Sequence, residues 1–430
     1  MKLETIKTTI LSVLVCLSIF LTWLIWNNQP SYEWLNLNDL SNISISKEKK
    51  VSQIVLPDKS VYHQNNMAYG TVQNGEVNRI MKELESWNFD IISTKRLSHN
   101  EINYLMMSNQ RLVLEFPDDI PFNVYQNVFH FTNKKIPNAN FDHIVVELKK
   151  GSKLVNRIYF ISSKTNKVFE ASTDQKKIQV FLTHLNQNLD VYDPYAAYTI
   201  KNNKKVFLPT NTPVMNQYNY AITDIEIDKF KKVLFRDPSF VKKVADEYTN
   251  GTSLLRTDDD HKVFSFVNPA ENNELNHVDD HLFMKSIDFI NQHSGWTDQF
   301  QYFEMNEKEH EVTFRLFKDG YPVFNEDGMA DIQEYWGENE IYKYVRPYYL
   351  LSVDLPMKSN TVKLKSATQV ISELKNDSSI NMNNVEDIAL GYSLKKDGDS
   401  SDILSFKPAW YYCYNGVWKV LGGGDKDGLE

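Results

Sequence analysis

The sequence predicts an α+β protein: one N-terminal transmembrane helix, then a multi-domain part of antiparallel sheets covered by helices. Three observations point there. The run Ile10–Trp26, "ILSVLVCLSIFLTWLIW", carries no charged residue. Beyond it, runs of strand-like segments joined by short turns, with amphipathic helices to cover one face, give an α+β class. Aromatic residues are plentiful (24 Phe, 23 Tyr, 8 Trp), while Gly (15) and Pro (14) are scarce, a composition that can bury cores and does not resemble a disordered chain.

The charge balance narrows the function. The 430 residues carry net charge −9 with acids and bases mixed throughout, so no basic face marks a nucleic-acid partner. Of the two cysteines, Cys16 lies in the apolar run. Cys413 is therefore alone in the remainder, and a disulfide within that remainder is excluded.

At ~1.5 Å per residue, Ile10–Trp26 approaches the ~30 Å hydrocarbon layer of a bilayer. A signal peptide needs small residues at its exit, whereas Trp23, Ile25 and Trp26 stand there. The run is thus expected to stay as an anchor, with Trp23 and Trp26 in the aromatic belt at the membrane–water boundary. Lys2 and Lys7 precede it, and no Lys or Arg follows until Lys47. The positive-inside rule then puts residues 1–9 in the cytoplasm and the bulk outside the cell. Thr8, Ser12 and Cys16 recur at four-residue spacing, with Ser18 and Thr22 beside them. Small and hydroxyl-bearing side chains let membrane helices approach closely, so this side is the candidate face toward a partner helix.

The rest divides by pattern. Residues 27–50 read as a polar stalk. A first domain, 51–195, opens with "VSQIVLP" as a strand and contains helices at "EVNRIMKELESWNF" and "QKKIQVFLTHLNQN". A middle domain, 196–275, holds "IDKFKKVLF", then "DPSFVKKVADEY", where Asp237 would cap a helix starting at Pro238. "TSLLRTDDDHKVFSFVNP" reads as a hairpin turning at Asp258–Asp260. In the last domain, 276–430, a helix followed by three strands occurs twice: "HLFMKSIDFINQ" leads the first unit and "SATQVISELK" the second. The tail "GGGDKDGLE" reads as a frayed end.

No fragment assembles into an active site. His277 and His281 in "HVDDH" sit four apart, but Val278 stands where a zinc protease needs Glu, so two exposed histidines near a helix start is the better reading. "TDDDH" at 257–261 lacks the alternating ligands, Gly and distal Glu of a calcium loop. The "GGG" at 422–424 is followed by no Lys-Ser/Thr pair. Cys413 lies among Trp410, Tyr412 and Tyr414 and suits core packing better than nucleophilic attack. No catalytic residue, metal ligand or cofactor is assigned.

The ordered segments "WNNQPSYE", "FRDPSFVKKVADEYTNGTSLL", "FINQHSGWT", "FRLFKDGYPVFN", "YVRPYYLL", "VEDIALGYSL" and "FKPAWYYCYNGVWKVL" resemble the YycH family over essentially the full length. These are accessory regulators of the WalK sensor histidine kinase in low-GC Gram-positive bacteria. The resemblance implies external α+β domains, a C-terminal part related to the partner protein YycI, and no enzymatic activity. It also implies a membrane complex with the kinase and a YycI-like protein, with transmembrane helices making much of the contact, in the control of cell-wall metabolism. A different class of reading is an anchored external module that binds a cell-wall fragment or small ligand, with the strands of "FKPAWYYCYNGVW" lining a groove.

Overall fold

The computed structural model describes residues 7, 11, 14, 15, 17, 18 and 44–422, apart from 134, 149–156, 272–280, 357–359 and 398–401. The chain forms two units, Met1–Ile43 and Ser44–Glu430. In the first, the described positions are helical, with Leu11, Leu14, Val15 and Leu17 exposed. Among the described residues no helix is long and apolar enough to cross a membrane. Most of the expected anchor Ile10–Trp26 lies outside them.

The second unit contains a ten-stranded and a fourteen-stranded sheet. At the centre of the ten-stranded sheet, Asn140–Glu147 pairs antiparallel with both Arg111–Pro121 and Arg157–Ser162. These strands read "NFDHIVVE" and "RIYFIS" and are apolar on successive residues, as strands buried on both faces must be. Helices Asn74–Glu85 and Gln175–Gln187 lay Ile80, Met81, Leu84, Ile178, Phe181 and Leu185 on one face. Ile102 and Met106 of helix His99–Met107 join Val61, Val113, Val145 and Ile161 on the other. The strands Asp193–Thr199 and Lys205–Pro209 also belong to this sheet, so it runs into the stretch expected as a middle domain.

The fourteen-stranded sheet is built from residues 218–420. Helix Leu282–Gln292 covers it where Phe283 meets Tyr302 (ring centres 4.5 Å apart) and Phe289 meets Tyr344 (5.3 Å). Helix Ala367–Asn376 is capped at Ser366, whose hydroxyl accepts from Gln369 N while Gln369 accepts from Ser366 N. Three strands follow it: Val385–Lys396, Ile403–Tyr414 and Val417–Val420. After Leu282–Gln292 there are more than three, because "DIQEYW" forms a strand at Asp331–Trp336 and the chain bends at Tyr348 between Ile341–Pro347 and Tyr349–Leu355.

Two local expectations change. "VSQI" is a helical turn and not a strand, because Gln53 Oε1 accepts from Lys50 N at 2.9 Å and closes a cap. Asp237 does cap, accepting from Ser239 N, but only a single turn Pro238–Phe240 follows. The chain then doubles back as the hairpin Lys242–Val244/Glu247–Thr249, whose second strand joins Leu254–Asp258. Ladder bonds to an existing sheet outweigh the weak helix preference of Val241 and Val244. The hairpin Leu254–Asp258/Val263–Val267 forms with Asp258 opposite Val263, as its turn residues predict.

Candidate functional site: the Ser44–Lys50 clamp and the seam between the sheets

The first described residues after the N-terminal unit, Ser44–Lys50, were expected to be part of a stalk. They are held against the loop that ends helix Leu282–Gln292. Ile45 N donates to His293 O (3.1 Å), Ser46 N to Ser294 O (2.8 Å), and Trp296 N to Lys47 O (3.3 Å). Asn291 closes the clamp with both ends of its amide. Its Oδ1 accepts from Lys49 N and its Nδ2 donates to Lys49 O, each at 3.0 Å. Lys49 is 8 % exposed. Its Nζ donates to Asp298 O (2.9 Å) and Phe300 O (3.2 Å) and lies 5.5 Å from the Trp296 ring centre. Burial, then the charge of Lys47, pulls this ammonium down to about 8.

A fully buried cation supports the loop from the sheet side. Arg346 donates through Nη1 to Gly295 O (2.9 Å) and Tyr344 Oη (3.0 Å), through Nη2 to Thr297 Oγ1 (3.4 Å), and through Nε to Pro347 O (3.2 Å). Breaking such a buried, hydrogen-bonded charge is far more costly than its net contribution suggests. Beside it, burial and then Arg346 hold His293 down to about 3, so it is neutral. Glu334 is pushed well above the ordinary carboxyl range by burial, although Ser286 and Trp336 oppose the shift. Trp336 Nε1 donates to Ser286 Oγ at 2.8 Å, tying this polar cluster to the helix. The described residues that follow the N-terminal unit are thus hydrogen-bonded to the loop between helix Leu282–Gln292 and strand Phe300–Asn306 of the fourteen-stranded sheet, although the ten-stranded sheet begins nearer in the chain, at Lys59.

The seam between the two sheets is polar and rich in carboxylates. Tyr302 Oη donates to Asp119 O (2.8 Å), Met305 N to Asp118 Oδ2 (3.1 Å), and Asn140 Nδ2 to Glu307 Oε1 (3.2 Å). Asp118 of the first sheet interacts with Glu304 of the second, and the Tyr302 hydroxyl lies among Asp118, Asp119, Glu304 and Glu307. Lys164 bridges Asp118 (2.8 Å) and Asp119 (3.4 Å). Burial, then Asp142, raises Asp119 to about 6. Burial raises Glu304 to about 7 against the pull of Arg315. Further along, Lys59 pairs with Glu115 at 3.3 Å, and burial pushes neighbouring Asp58 up to about 7 despite Lys59. Asp58 Oδ1, Glu115 Oε2 and Asp119 Oδ1 have no hydrogen-bond partner among the described residues. A cavity of about 40 Å³ beside Asp58 and Lys59 is lined by Tyr195, Gly320 and Tyr321 and has room for water. Nothing in the sequence pattern signalled the clamp or the seam.

The residues singled out from sequence are placed as follows. Thr8, Ser12, Cys16, Thr22, Trp23 and Trp26 lie outside the described residues, and Ser18 is helical. His277 also lies outside them, while His281 is exposed at the start of its helix. Asp258 and His261 pair within their turn (2.8 Å), and Asp259 accepts from Tyr348 Oη (2.7 Å). Among the described residues no group of three His, Cys, Asp or Glu side chains is arranged for a metal. Burial, then Glu386, pushes Cys413 up to about 12. A groove of about 560 Å³ lies beside the C-terminal hairpin, lined by Tyr412, Trp418, Val417, Glu373, Asp377 and Lys419.

Residues 4–189 match the family description "YycH protein, N-terminal domain", and residues 203–423 match "YycH protein, C-terminal domain". The chain is similar to the two-component system WalR/WalK regulatory protein YycH of Bacillus subtilis (strain 168), with 24% identity over 438 residues, covering 97% of this chain and 96% of that protein. It is also similar in fold to the crystal structure of YycH from Bacillus subtilis, with TM-score 0.74 and 22% identity, covering 88% of this chain and 98% of that one. Matched to both domains of the family across most of its length, the chain belongs to the YycH family.

Proposed function

We propose that this protein is a membrane-anchored, non-enzymatic external regulator of a WalK-like sensor histidine kinase, acting with a YycI-like membrane partner to control cell-wall metabolism. The observation that carries the reading is the extent of the family match, which runs from residue 4 to 423 and so takes in the uncharged run as well as both sheets. Retention of that run puts residues 1–9 in the cytoplasm and the sheets outside. Confinement to the kinase's own bilayer raises the effective concentration, so a weak helix contact is occupied. A regulator acts by binding one kinase state better than another, and a coupling of ~1–3 kcal/mol changes the active fraction severalfold or more.

The clamp fits this role. A displacement of the segment after the anchor would be felt in the sheet held by Arg346, and the reverse also holds, since coupling is reciprocal. Replacing Ser12 and Cys16 with Leu tests the helix face. Weakened co-purification with the kinase is expected, and unchanged association in a membrane two-hybrid would remove this face from the mechanism.

The groove beside Tyr412 and Trp418 favours a second reading, an external module for a cell-wall fragment, since aromatic and carboxylate side chains line it together. Calorimetric titration with soluble muropeptides separates the two readings, because a regulator that works through protein contacts alone gives no heat.

A further inference from the structure

One edge of the fourteen-stranded sheet departs from the charge of the rest of the chain. Net charge is −9, yet residues 228–247, which lead into and form this edge, carry six basic residues (Lys229, Lys231, Lys232, Arg236, Lys242 and Lys243) against four acidic ones (Asp228, Asp237, Asp246 and Glu247). Lys231 pairs with Asp228 (2.7 Å) and Arg236 with Glu340. Lys242 and Lys243 stand exposed on the strand Lys242–Val244. That strand pairs with Glu247–Thr249 in the register Lys242↔Thr249, Lys243↔Tyr248 and Val244↔Glu247. It ends the strand order, so its outer row of N–H and C=O groups faces no further strand among the described residues.

Lysine on an edge strand is a common device against aggregation. That accounts for Lys242 and Lys243 but not for their neighbours. Phe240, at the end of the turn that leads into this strand, is 71 % exposed, and Val244, in the strand, is 65 % exposed. Unpaired main chain is what an added strand pairs with, and the apolar and cationic side chains beside it select which segment fits.

We infer that the Lys242–Val244 edge receives an extended, acidic segment of a partner protein as an added strand. Side chains alternate across a strand, so the cations are offered on both faces. Lys243 lies over the Tyr248 ring at 5.1 Å, with Lys231 at 5.2 Å from the same ring, whereas Lys242 projects to the opposite face with Val244. Acidic residues on either face of an incoming strand thus meet an ammonium group. A second copy of this chain is the wrong occupant, because antiparallel pairing of two such edges sets lysines against lysines. The inference rests on the proposed function in one respect only, that the partner shares this protein's membrane.

The test uses the full-length chain in its own membrane, with Phe240→p-benzoylphenylalanine as a photo-crosslinker. The expected result is an adduct to one protein, mapped by mass spectrometry to an extended segment rich in Asp and Glu. The variant K242E/K243E should lower its yield about tenfold or more, since like charges across a contact cost several kcal/mol. K242Q/K243Q, which keeps the side-chain stems, should lower it less and guards against a misfolded variant, with melting of both checked by circular dichroism. An adduct only to lipid, an adduct to a second copy, no adduct, or a yield indifferent to charge reversal each overturns the inference. Kinase co-purification is read from the same membranes: retention without the adduct sinks this inference alone, and loss from the unaltered chain sinks the proposed function.

Discussion

The ammonium of Lys49 sits 5.5 Å from the centre of the Trp296 ring, a contact made across most of the second unit's length in sequence. The same nitrogen donates hydrogen bonds to two carbonyls, Asp298 O and Phe300 O. Lys49→Met keeps the apolar stem but leaves those carbonyls unpaired, at a cost of ~1–3 kcal/mol. Trp296→Ala removes a fully buried side chain, at ~3–5 kcal/mol. Urea denaturation measures both losses. Amide exchange at residues 44–50 should rise in Lys49→Met before the sheets themselves loosen, and equal exchange in the two proteins would show that the clamp does not depend on this cation.

The seam should tighten as pH falls. Asp119 and Glu304 are raised to about 6 and about 7. Their contribution is therefore full below the ordinary carboxyl value of ~4 and is lost as pH rises through 6 to 7. Burial opposes charge on His143, but Asp142 outweighs it and leaves the imidazole raised, so its contribution too is lost with rising pH. Asp142, held low by His143 against its burial, stays ionised through this window, and Lys164 stays charged. His63 and His293, drawn down to about 4 and about 3 by burial, act in the opposite sense and cost global stability on acidification. The local measurement is therefore the decisive one. Between about pH 8 and about pH 5, amide exchange at 118–120 and 300–306, corrected for intrinsic rate, should slow, and Glu304→Gln should flatten the change.

Gly320 allows the two sheets to approach. Its φ is +83°, and a Cβ there would fall 1.9 Å from Val72 O. Gly416, at φ +79°, has open space around it. Alanine at Gly416 should cost only the left-handed backbone term of ~1–2 kcal/mol. Alanine at Gly320 should cost that and the displacement of the Val72 backbone. Urea midpoints of the two variants isolate the contact, and equal midpoints would mean the seam yields freely.

Cys413 should be inert in the native protein. It is 8 % exposed and its thiol is pushed up to about 12, so thiolate is scarce near neutrality. Peptide-level mass spectrometry after maleimide treatment should find Cys413 unmodified until denaturant is added. Rapid native labelling would place it on the surface.

Much of the local structure was legible. The helices Asn74–Glu85, Gln175–Gln187, Leu282–Gln292 and Ala367–Asn376 stand where apolar residues recur every three or four positions, and each uses that stripe to cover a sheet. Turn chemistry placed the hairpin at Asp258–Asp260. The misread segments were those where sheet pairing or a cap overrode weak local preference, at "VSQI" and after Phe240. The resemblance carried by "FRDPSFVKKVADEYTNGTSLL" and its companions identified the family but pointed to no contact between the sheets.

Periodicity and charge along the chain were enough to specify the uncharged leader and the covering helices, because each depends on neighbours within a few residues. The clamp and the seam depend on distant groups. Lys49 lies in the polar run "NISISKEKK", and its carbonyl partners are 249 and 251 residues away in sequence. Whether a lysine in such a run is solvated or buried is settled by which carbonyls the packed sheets bring within hydrogen-bond reach, and the residues beside it carry no trace of that.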